Sequence, residues 1–153
     1  MEIERKFQVT TDDLSFLDQA VAVHKITQVY METGDKESRI RICGDKATFT
    51  RKTGGHALSR EEVECEIEMR SALDIINVYA SESLVEKTRY VIEHDGMTWE
   101  VDVFHGANEG LVMAEVELTH EGQDIALPEW GLSEVTGRPE FYNQNIAKLV
   151  KND

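Results

Sequence analysis

The feature that most constrains the fold of this sequence is a charged residue at every second position of successive predicted strands. The chain opens with MEIERKF, in which Glu2, Glu4 and Lys6 occupy alternate positions. Because successive side chains of a β-strand point to opposite faces, a strand here places two carboxylates and an ammonium group on one face. The opposite face carries the apolar residues Ile3 and Phe7. Such a strand has one charged face and one largely apolar face.

Charge recurs on a single face in six further predicted strands. The residues are Arg39, Arg41, Lys52, Arg60, Glu62, Glu64, Glu66, Lys87, Arg89, Glu100, Asp102, Glu115 and Glu117. The plainest interpretation is a solvated sheet face whose mixed charges favour solubility. Against it, Thr and Ser are nearly absent from this set, although Thr is enriched in strands. Like charges also repeat two residues apart, and their mutual repulsion indicates that counter-ions bind on this face.

Alternating segments bounded by glycine and aspartate turns predict eight strands. Their ranges are 2–9, 22–32, 38–43, 46–52, 58–68, 84–93, 97–104 and 111–119. Helices are predicted after the start signals of residues 10–13, from a cap at Ser71, and over 141–150. Eight strands suffice to close a barrel whose interior holds one small ligand. The predicted fold class is therefore α+β, a closed eight-stranded antiparallel β-barrel (tunnel) with the charged face inside and helices packed outside.

Composition narrows the classes of partner and compartment. The net charge of −14 argues against a general nucleic-acid-binding surface, which needs a basic stripe. The sequence has neither an N-terminal apolar segment of signal-peptide length nor an apolar run of about 18 residues, so no membrane association is expected. Cys43 and Cys65 lack a metal-binding or redox spacing and are interpreted as free thiols. The predicted location is the cytoplasm, and the oligomeric state is left open.

A lumen lined by both signs of charge has a specific chemistry. Clustered carboxylates attract hard divalent cations such as Mg²⁺ or Mn²⁺. Clustered Arg and Lys side chains bind phosphate oxygens. Together on facing walls, the two groups suit a polyphosphate chain and the transfer of a phosphoryl group, which depends mainly on positioning and charge stabilisation.

Several short motifs follow one another along the chain. The first is EIERK (2–6), and the others are RIRI (39–42), TRKTG (50–54), REEVECEI (60–67), EKTRY (86–90), WEVDVFHG (99–106), AEVEL (114–118) and EVTGRPEFYN (134–143). In this order they resemble the successive strands of the CYTH superfamily, the triphosphate tunnel metalloenzymes, and EIERK is similar to that family's ExExK signature. The resemblance spans nearly the whole chain and is closest to small single-domain bacterial members. It implies a single CYTH domain over residues 1–153.

The resemblance also implies an activity, the hydrolysis or cyclisation of a triphosphate with Mg²⁺ or Mn²⁺, and a set of site residues. By resemblance, the phosphate chain would be held by Lys6, Arg39, Arg41, Lys52, Arg60, Lys87 and Arg89, with Tyr30 beside them. The metal would be bound by Glu2, Glu4, Glu62, Glu64, Asp102, Glu115 and Glu117, with the pairs Glu2/Glu4 and Glu115/Glu117 foremost. Catalytic roles would fall to Glu4, Lys6, Arg41 and Lys87.

One position departs from the family pattern. Many members carry a basic residue just before the C-terminal aromatic residue, where this chain has Glu140 before Phe141. Arg138 lies two residues upstream and is an alternative contributor to phosphate binding.

Several functions remain open at this stage. The leading hypothesis is metal-dependent hydrolysis of a triphosphate, most simply inorganic tripolyphosphate, because no adenine-reading element is evident. Alternatives within the family are a class IV-type adenylate cyclase and a thiamine or nucleoside triphosphatase. A non-catalytic polyphosphate-binding module is a further alternative, although a polyanion needs cations far more than a surplus of carboxylates. A charged but empty barrel is plausible only if its lumen is wet, because burying unpaired charges is costly.

Overall fold

The computed structural model describes residues 2–54 and 59–149. Nine strands lie within these residues, and they are β1 (Glu2–Val9), β2 (Ala22–Glu32), β3 (Glu37–Cys43), β4 (Lys46–Thr53), β5 (Ser59–Ile67), β6 (Val85–His94), β7 (Met97–Phe104), β8 (Val112–Glu117) and β9 (Leu132–Glu134). The two α-helices are α1 (Met69–Ser83) and α2 (Asn143–Leu149). Within the same residues, no helix is both long enough and apolar enough to cross a lipid bilayer.

The strands form a closed antiparallel barrel. Their order is β5-β4-β3-β2-β6-β7-β8-β1, and pairing of β5 with β1 closes the ring, while the short β9 adds to β1. The pairing that closes the barrel is short, because among the described residues β1 pairs with β5 at Glu2↔Arg60 and Ile3↔Ser59. The same edge of β1 pairs with β9 farther along, from Phe7 to Val9. The predicted eight-stranded barrel is therefore confirmed, with one additional strand beside its first.

Tight turns produce the hairpins that the sequence predicts. Asp95 and Gly96 both have positive φ, 50° and 76°, between β6 and β7. Two successive residues of positive φ make the type I′ turn that matches the twist of paired strands. His94 consequently pairs with Met97, and the two strands stay in register up to Lys87↔Phe104.

The outer, apolar face of the barrel is covered on two sides. Under α1, Ala72 and Ile76 pack against strand residues that include Val29 and Ile40. A second cluster centres on Trp99, which packs with Phe7 and Trp130. These two layers bury the side chains that alternate with the charged set, so the charged side chains point inward.

A third apolar cluster lies inside the barrel, at one end of the lumen. Its buried members are Tyr30, Val85, Phe104, Met113, Val135 and Ile146. Ile146 belongs to α2, so this helix packs across the barrel end, whereas α1 packs on the outer wall as predicted. The lumen-facing side chains thus change from charged to apolar toward this end.

Two local predictions differ from the structure, and one short strand was not predicted. The segment after residue 13 forms only a 3₁₀ helix, Ser15–Gln19. The predicted cap at Ser71 is wrong, because α1 begins at Met69 and its cap residue, Glu68, makes no side-chain capping bond. The three-residue β9 was not predicted. The predicted turn at 54–55, the start of the fifth predicted strand at 58, and position 150 fall wholly or partly outside the described residues.

Candidate active site

The charged side chains of the barrel converge on one cavity of about 260 Å³. Its cationic lining residues are Lys6, Arg39, Arg41, Lys52, Arg60 and Arg89. Its acidic lining residues are Glu2, Glu4, Glu37, Glu62, Glu64, Glu100 and Glu115. Among the described lining residues, Tyr142 is the one aromatic side chain. The cavity therefore offers charged groups of both signs and little surface on which a ring could stack.

The two arginines of β3 have uncharged neighbours across both adjoining strands. Arg39 lies opposite Tyr30 and Thr50, and Arg41 lies opposite Gln28 and Thr48. Arg39 is only 7% exposed, and its Nε atom has no hydrogen-bond partner among the described residues. A buried guanidinium N–H without a partner loses the free energy of a hydrogen bond, so an anion that accepts it is stabilised there.

Arg41 is partly buried and, unlike Arg39, has a hydrogen-bond partner for its Nε atom among the described residues. Its Nε atom donates to Gln28 Oε1 at 2.8 Å. Burial, together with the positive charges of Arg39 and Arg89, lowers the pKa of Arg41 to about 10. At neutral pH this guanidinium remains protonated, and an anionic ligand would relieve the repulsion among the three arginines.

A buried ionic layer lies beneath the cavity between β6 and β7. Arg89 donates Nε and Nη2 to the two oxygens of Asp102 at 2.8 and 2.9 Å, and Lys87 Nζ lies 2.6 Å from Asp102 Oδ2. Burial raises the pKa of Asp102, but the charges of Lys87 and Arg89 outweigh it and hold that pKa well below its ordinary value. Burial lowers the pKa of Lys87 to about 7. Asp102 therefore supports two cations from below.

Carboxylates of β1 and β8 cluster on the wall across the barrel from β3. Burial, and then the negative charges of Glu115 and Glu2, raise the pKa of Glu4 well above its ordinary range. Burial also acts on Glu115, but the positive charges of Lys6 and Arg89 prevail and lower its pKa to about 2. Lys6 Nζ lies 3.6 Å from Glu115 Oε1. The cluster thus holds more negative charge than its neighbours neutralise.

Lys52 connects this cluster to β5. Its Nζ atom lies 2.9 Å from Glu2 Oε1 and 3.7 Å from Glu62 Oε2. Although burial raises the pKa of Glu2, the charge and hydrogen bond of Lys52 lower it overall. Burial, and then Glu2, raise the pKa of Glu62. Lys52 is therefore shared between two carboxylates.

Comparison with known proteins identifies the family to which this barrel belongs. A sequence model of the CYTH domain matches residues 1–148. The chain belongs to the CYTH family. It is similar to the inorganic triphosphatase of Acetivibrio thermocellus, at 39% identity over 147 residues that cover 96% of this chain and 93% of that protein. The predicted family is thus confirmed.

Two further comparisons agree with this membership. The inorganic triphosphatase of Nitrosomonas europaea is 34% identical over 154 residues, which cover 97% of this chain and 98% of that protein. A crystal structure of the inorganic triphosphatase NE1496 matches with a TM-score of 0.67 at 30% identity, covering 96% of this chain and 94% of that chain. Both relatives are matched over nearly their whole lengths.

The acidic wall of this CYTH barrel fits a divalent cation. CYTH triphosphatases in general depend on a metal ion. Glu2, Glu4 and Glu115 offer only oxygen ligands, which Mg²⁺ and Mn²⁺ prefer. Their mutual repulsion, seen in the raised pKa of Glu4, is the kind that a bound cation removes. Within residues 2–54 and 59–149, no three acidic, His or Cys side chains surround one point at metal-binding spacing.

Eleven of the predicted site residues line the CYTH cavity, and four lie elsewhere. Lys87 and Asp102 are in the buried layer beneath it. Tyr30 is 3% exposed and packs in the apolar cluster at the end of the lumen. Glu117 is exposed and borders a separate depression that includes Met97 and Thr98. The structure thus places Tyr30 and Glu117 away from the cavity surface.

Arg138, the alternative basic residue of the C-terminal segment, does not line the cavity. Its Nη2 atom lies 2.8 Å from Glu140 Oε1, and its guanidinium stacks 5.2 Å from the ring centre of Phe141. These contacts hold the side chain on the exterior of the barrel.

Six lining residues lie outside the predicted set of site residues: Glu37, Glu100, Thr136, Gly137, Tyr142 and Asn143. Glu100 was predicted to lie on the charged face with Asp102, but it was given no role in the site. Glu37 is buried, with Oε1 3.6 Å from Arg60 Nη1, at the first position of β3. The other four come from the C-terminal segment, which reaches the cavity because Val135 N donates to the Lys6 carbonyl at 2.9 Å. That long-range contact has no local signal.

Proposed function

We propose that this CYTH protein hydrolyses a triphosphate, with inorganic tripolyphosphate as its substrate. The observation that carries the proposal is the pair of lumen-facing arginines on β3, the buried Arg39 and the partly buried Arg41, whose cross-strand neighbours are all uncharged. Guanidinium groups left without a carboxylate partner are suited to the oxygens of a phosphate chain. The close relatives named above as inorganic triphosphatases support the same substrate.

The charges around the cavity suggest a division of roles. Phosphate oxygens would contact Arg39, Arg41, Arg60, Arg89, Lys6 and Lys52. Glu2, Glu4 and Glu115 would hold Mg²⁺ or Mn²⁺, with Glu62 and Glu64 on the neighbouring wall. Such an ion, when bound, supplies positive charge to the terminal phosphoryl group. We assign Asp102 to holding Arg89 in place from below, with Lys87 as a second cation on the same carboxylate.

The reaction follows from these roles. A water molecule attacks the terminal phosphorus, a new P–O bond forms, and the bridging P–O bond breaks to release orthophosphate and pyrophosphate. Arg and Lys side chains stabilise the negative charge on the equatorial and leaving oxygens, because fixed charges in a site of low dielectric act strongly. A carboxylate of the acidic wall orients the attacking water.

A phosphate-release assay tests the proposal. Tripolyphosphate, pyrophosphate, ATP and thiamine triphosphate are compared with Mg²⁺ and with Mn²⁺, and cyclic AMP is measured in parallel. We expect orthophosphate release from tripolyphosphate to exceed that from the other compounds, since the cavity presents little aromatic surface for a base. Formation of cyclic AMP, or no release from any triphosphate, would contradict the proposal.

A matched pair of variants ties the activity to the cavity. Arg41→Gln removes a cavity cation and should lower kcat/KM for tripolyphosphate by about a hundredfold. Arg51→Gln removes an exposed arginine of the neighbouring strand, which pairs with Glu32 at 3.4 Å on the exterior. Equal effects of the two substitutions would argue against hydrolysis in this cavity.

We further propose that residues 1–153 act as one domain in the cytoplasm on a small-molecule substrate. The free thiols Cys43 and Cys65 suit a reducing compartment. Alkylation of both thiols in intact cells, without prior reduction, tests this location.

A further inference from the structure

Gln28 occupies the middle of β2 on the lumen side and is fully buried, at 0% exposure. Both ends of its side-chain amide are engaged. Gln28 Oε1 accepts a hydrogen bond from Arg41 Nε at 2.8 Å, and Gln28 Nε2 donates to the Tyr30 hydroxyl at 2.7 Å. These two bonds fix the orientation of the amide, because its oxygen can only accept and its nitrogen can only donate.

The strand register explains this arrangement. Gln28 lies directly opposite Arg41 across the β2–β3 pair, and Tyr30 lies opposite Arg39. Gln28 and Tyr30 are two residues apart on the same face of β2, so each is beside one of the two arginines. Tyr30 is in turn fixed by the apolar cluster at the end of the lumen. Tyr30 therefore holds the amide of Gln28 in place, and this amide in turn orients the guanidinium of Arg41.

The support of Arg41 differs in charge from that of Arg89. Arg89 is held by the carboxylate of Asp102, which compensates its positive charge. Gln28 is electrically neutral, so it orients Arg41 and leaves the guanidinium charge uncompensated. Coulomb attraction to a ligand rises with the net positive charge of the site and with the negative charge of the ligand.

We propose that Gln28 is a positioning residue that determines specificity: it directs Arg41 into the cavity without neutralising it, and so favours the more highly charged polyphosphate. The inference rests on the proposed function only for the class of ligand, a polyphosphate anion. It predicts that the charge of the side chain at position 28 sets the preference for tripolyphosphate over pyrophosphate.

Two substitutions separate orientation from charge. Gln28→Met keeps the length of the side chain but removes both hydrogen bonds. Gln28→Glu keeps an acceptor for Arg41 and adds a negative charge. Gln123→Glu adds the same charge outside the cavity, where Gln123 Oε1 accepts from the Thr119 amide, and serves as the control for net charge.

Binding of inorganic tripolyphosphate and of pyrophosphate is measured by isothermal titration calorimetry without divalent metal. We expect Gln28→Met to weaken both ligands equally, by about tenfold. Gln28→Glu should weaken tripolyphosphate by about a hundredfold and pyrophosphate by less, because repulsion scales with ligand charge. The Gln123→Glu control should bind both ligands as the wild type does. Equal losses of the two ligands in Gln28→Glu would overturn the inference.

A double-substitution cycle keeps the inference testable if Gln28→Glu does not fold. Gln28→Met is combined with Arg41→Gln, and thermal unfolding verifies that each variant is folded. If Gln28 acts through Arg41, then Gln28→Met has no further effect on tripolyphosphate binding once Arg41 is replaced. A loss of the same size in both backgrounds would show that Gln28 has only a structural role.

The two proposals fail in different ways. A wild-type protein that binds tripolyphosphate but releases no orthophosphate would contradict the proposed hydrolysis, while the predicted order of the Gln28 variants in binding would still support the inference. A wild-type protein that releases orthophosphate, with binding unchanged in every Gln28 variant, would overturn the inference alone.

Discussion

Arg89 and Asp102 lie directly opposite each other on β6 and β7, and the guanidinium of Arg89 donates to both carboxylate oxygens of Asp102 at 2.8 and 2.9 Å. Lys87 Nζ contacts the same carboxylate at 2.6 Å. Asp102 is 2% exposed, so its negative charge is stabilised almost entirely by these two cations. The layer beneath the cavity is consequently a single three-residue ionic unit.

Replacing Asp102 should destabilise the fold. Asp102→Asn leaves the buried guanidinium of Arg89 without its carboxylate, which costs about 3–5 kcal/mol in the free energy of unfolding. Chemical denaturation at neutral pH measures the loss. Asp74→Asn is the matched control, because its exposed pair with Arg70 at 3.8 Å contributes at most about 0.5 kcal/mol. Similar losses in the two variants would contradict the buried unit.

The same substitution should have a defined pH dependence. The folded-state pKa of Asp102 is lowered from its ordinary 3.8, so the stability it contributes is fully present above that value. That stability is lost as the pH falls toward the lowered folded-state pKa. The difference in unfolding free energy between the wild type and Asp102→Asn should therefore shrink below about pH 4. A constant difference down to low pH would contradict the ionic assignment.

Glu4→Gln should separate stability from activity. Because burial and then Glu115 and Glu2 raise the pKa of Glu4, the folded state binds a proton here more tightly than the unfolded state. The stability that the protonated Glu4 contributes is present below the ordinary glutamate pKa of 4.5, and it is lost as the pH rises through the raised pKa of the folded state. An uncharged Gln avoids this loss, so we expect the variant to be at least as stable as the wild type at neutral pH.

The activity of Glu4→Gln should nevertheless fall by about a hundredfold or more, because a proposed metal ligand is removed. Glu117→Gln is the control, since Glu117 lies opposite Glu4 across the β1–β8 pair but is exposed. Orthophosphate release at saturating Mg²⁺ distinguishes them. A Glu4→Gln variant as active as the wild type would remove Glu4 from the metal site.

Thr136→Val should weaken the junction between the C-terminal segment and β1. The Lys6 amide donates to Thr136 Oγ1 at 2.9 Å, and valine cannot accept this bond. An amide left without an acceptor costs about 1–3 kcal/mol. In the control Thr98→Val, the hydroxyl that is lost donates to Glu93 on an exposed surface. If the melting temperatures of the two variants fall equally, the junction does not depend on Thr136.

Gly131→Ala should be more destabilising than Gly122→Ala. Both glycines have positive φ, 68° and 80°, so an alanine at either position is strained by about 1–2 kcal/mol. Only at Gly131 does a Cβ atom also come within 3.1 Å of the Thr11 backbone nitrogen and side chain, whereas nothing lies within 4 Å at Gly122. Urea denaturation of both variants measures the additional contact, and equal losses would contradict it.

The barrel was predictable from sequence because its strands carry a local period of two. Residues 97–104 alternate between apolar and charged side chains, and the predicted strand has the same bounds as β7. The inward direction of Arg39 and Arg41 follows from the same alternation. Strand periodicity therefore determined both the element type and the face on which most of the cavity residues lie.

Features that depend on distant contacts were not predictable. Tyr30 lies on the lumen face of β2, where the lumen changes from charged to apolar. Alternation shows which face a residue is on but not how far along the lumen this change occurs. The role of Thr136 depends on pairing with Lys6, 130 residues away. The 3₁₀ helix Ser15–Gln19 stays short although its sequence has an apolar helical stripe. These outcomes depend on packing and strand pairing, which a single sequence does not encode locally.

The position of β1 between β8, β5 and β9 has a consequence for biosynthesis. All three partners of this strand are translated after it, and Thr136, which accepts the bond from Lys6, follows 130 residues later. At typical translation rates that interval lasts roughly 7–26 s. The edges of β1 gain their native partners in steps, because β5 is translated first, then β8 and finally β9. Unpaired strand edges promote aggregation, and charged side chains oppose it. We therefore expect Glu2, Glu4 and Lys6 to oppose aggregation of the nascent strand until its partners have been translated.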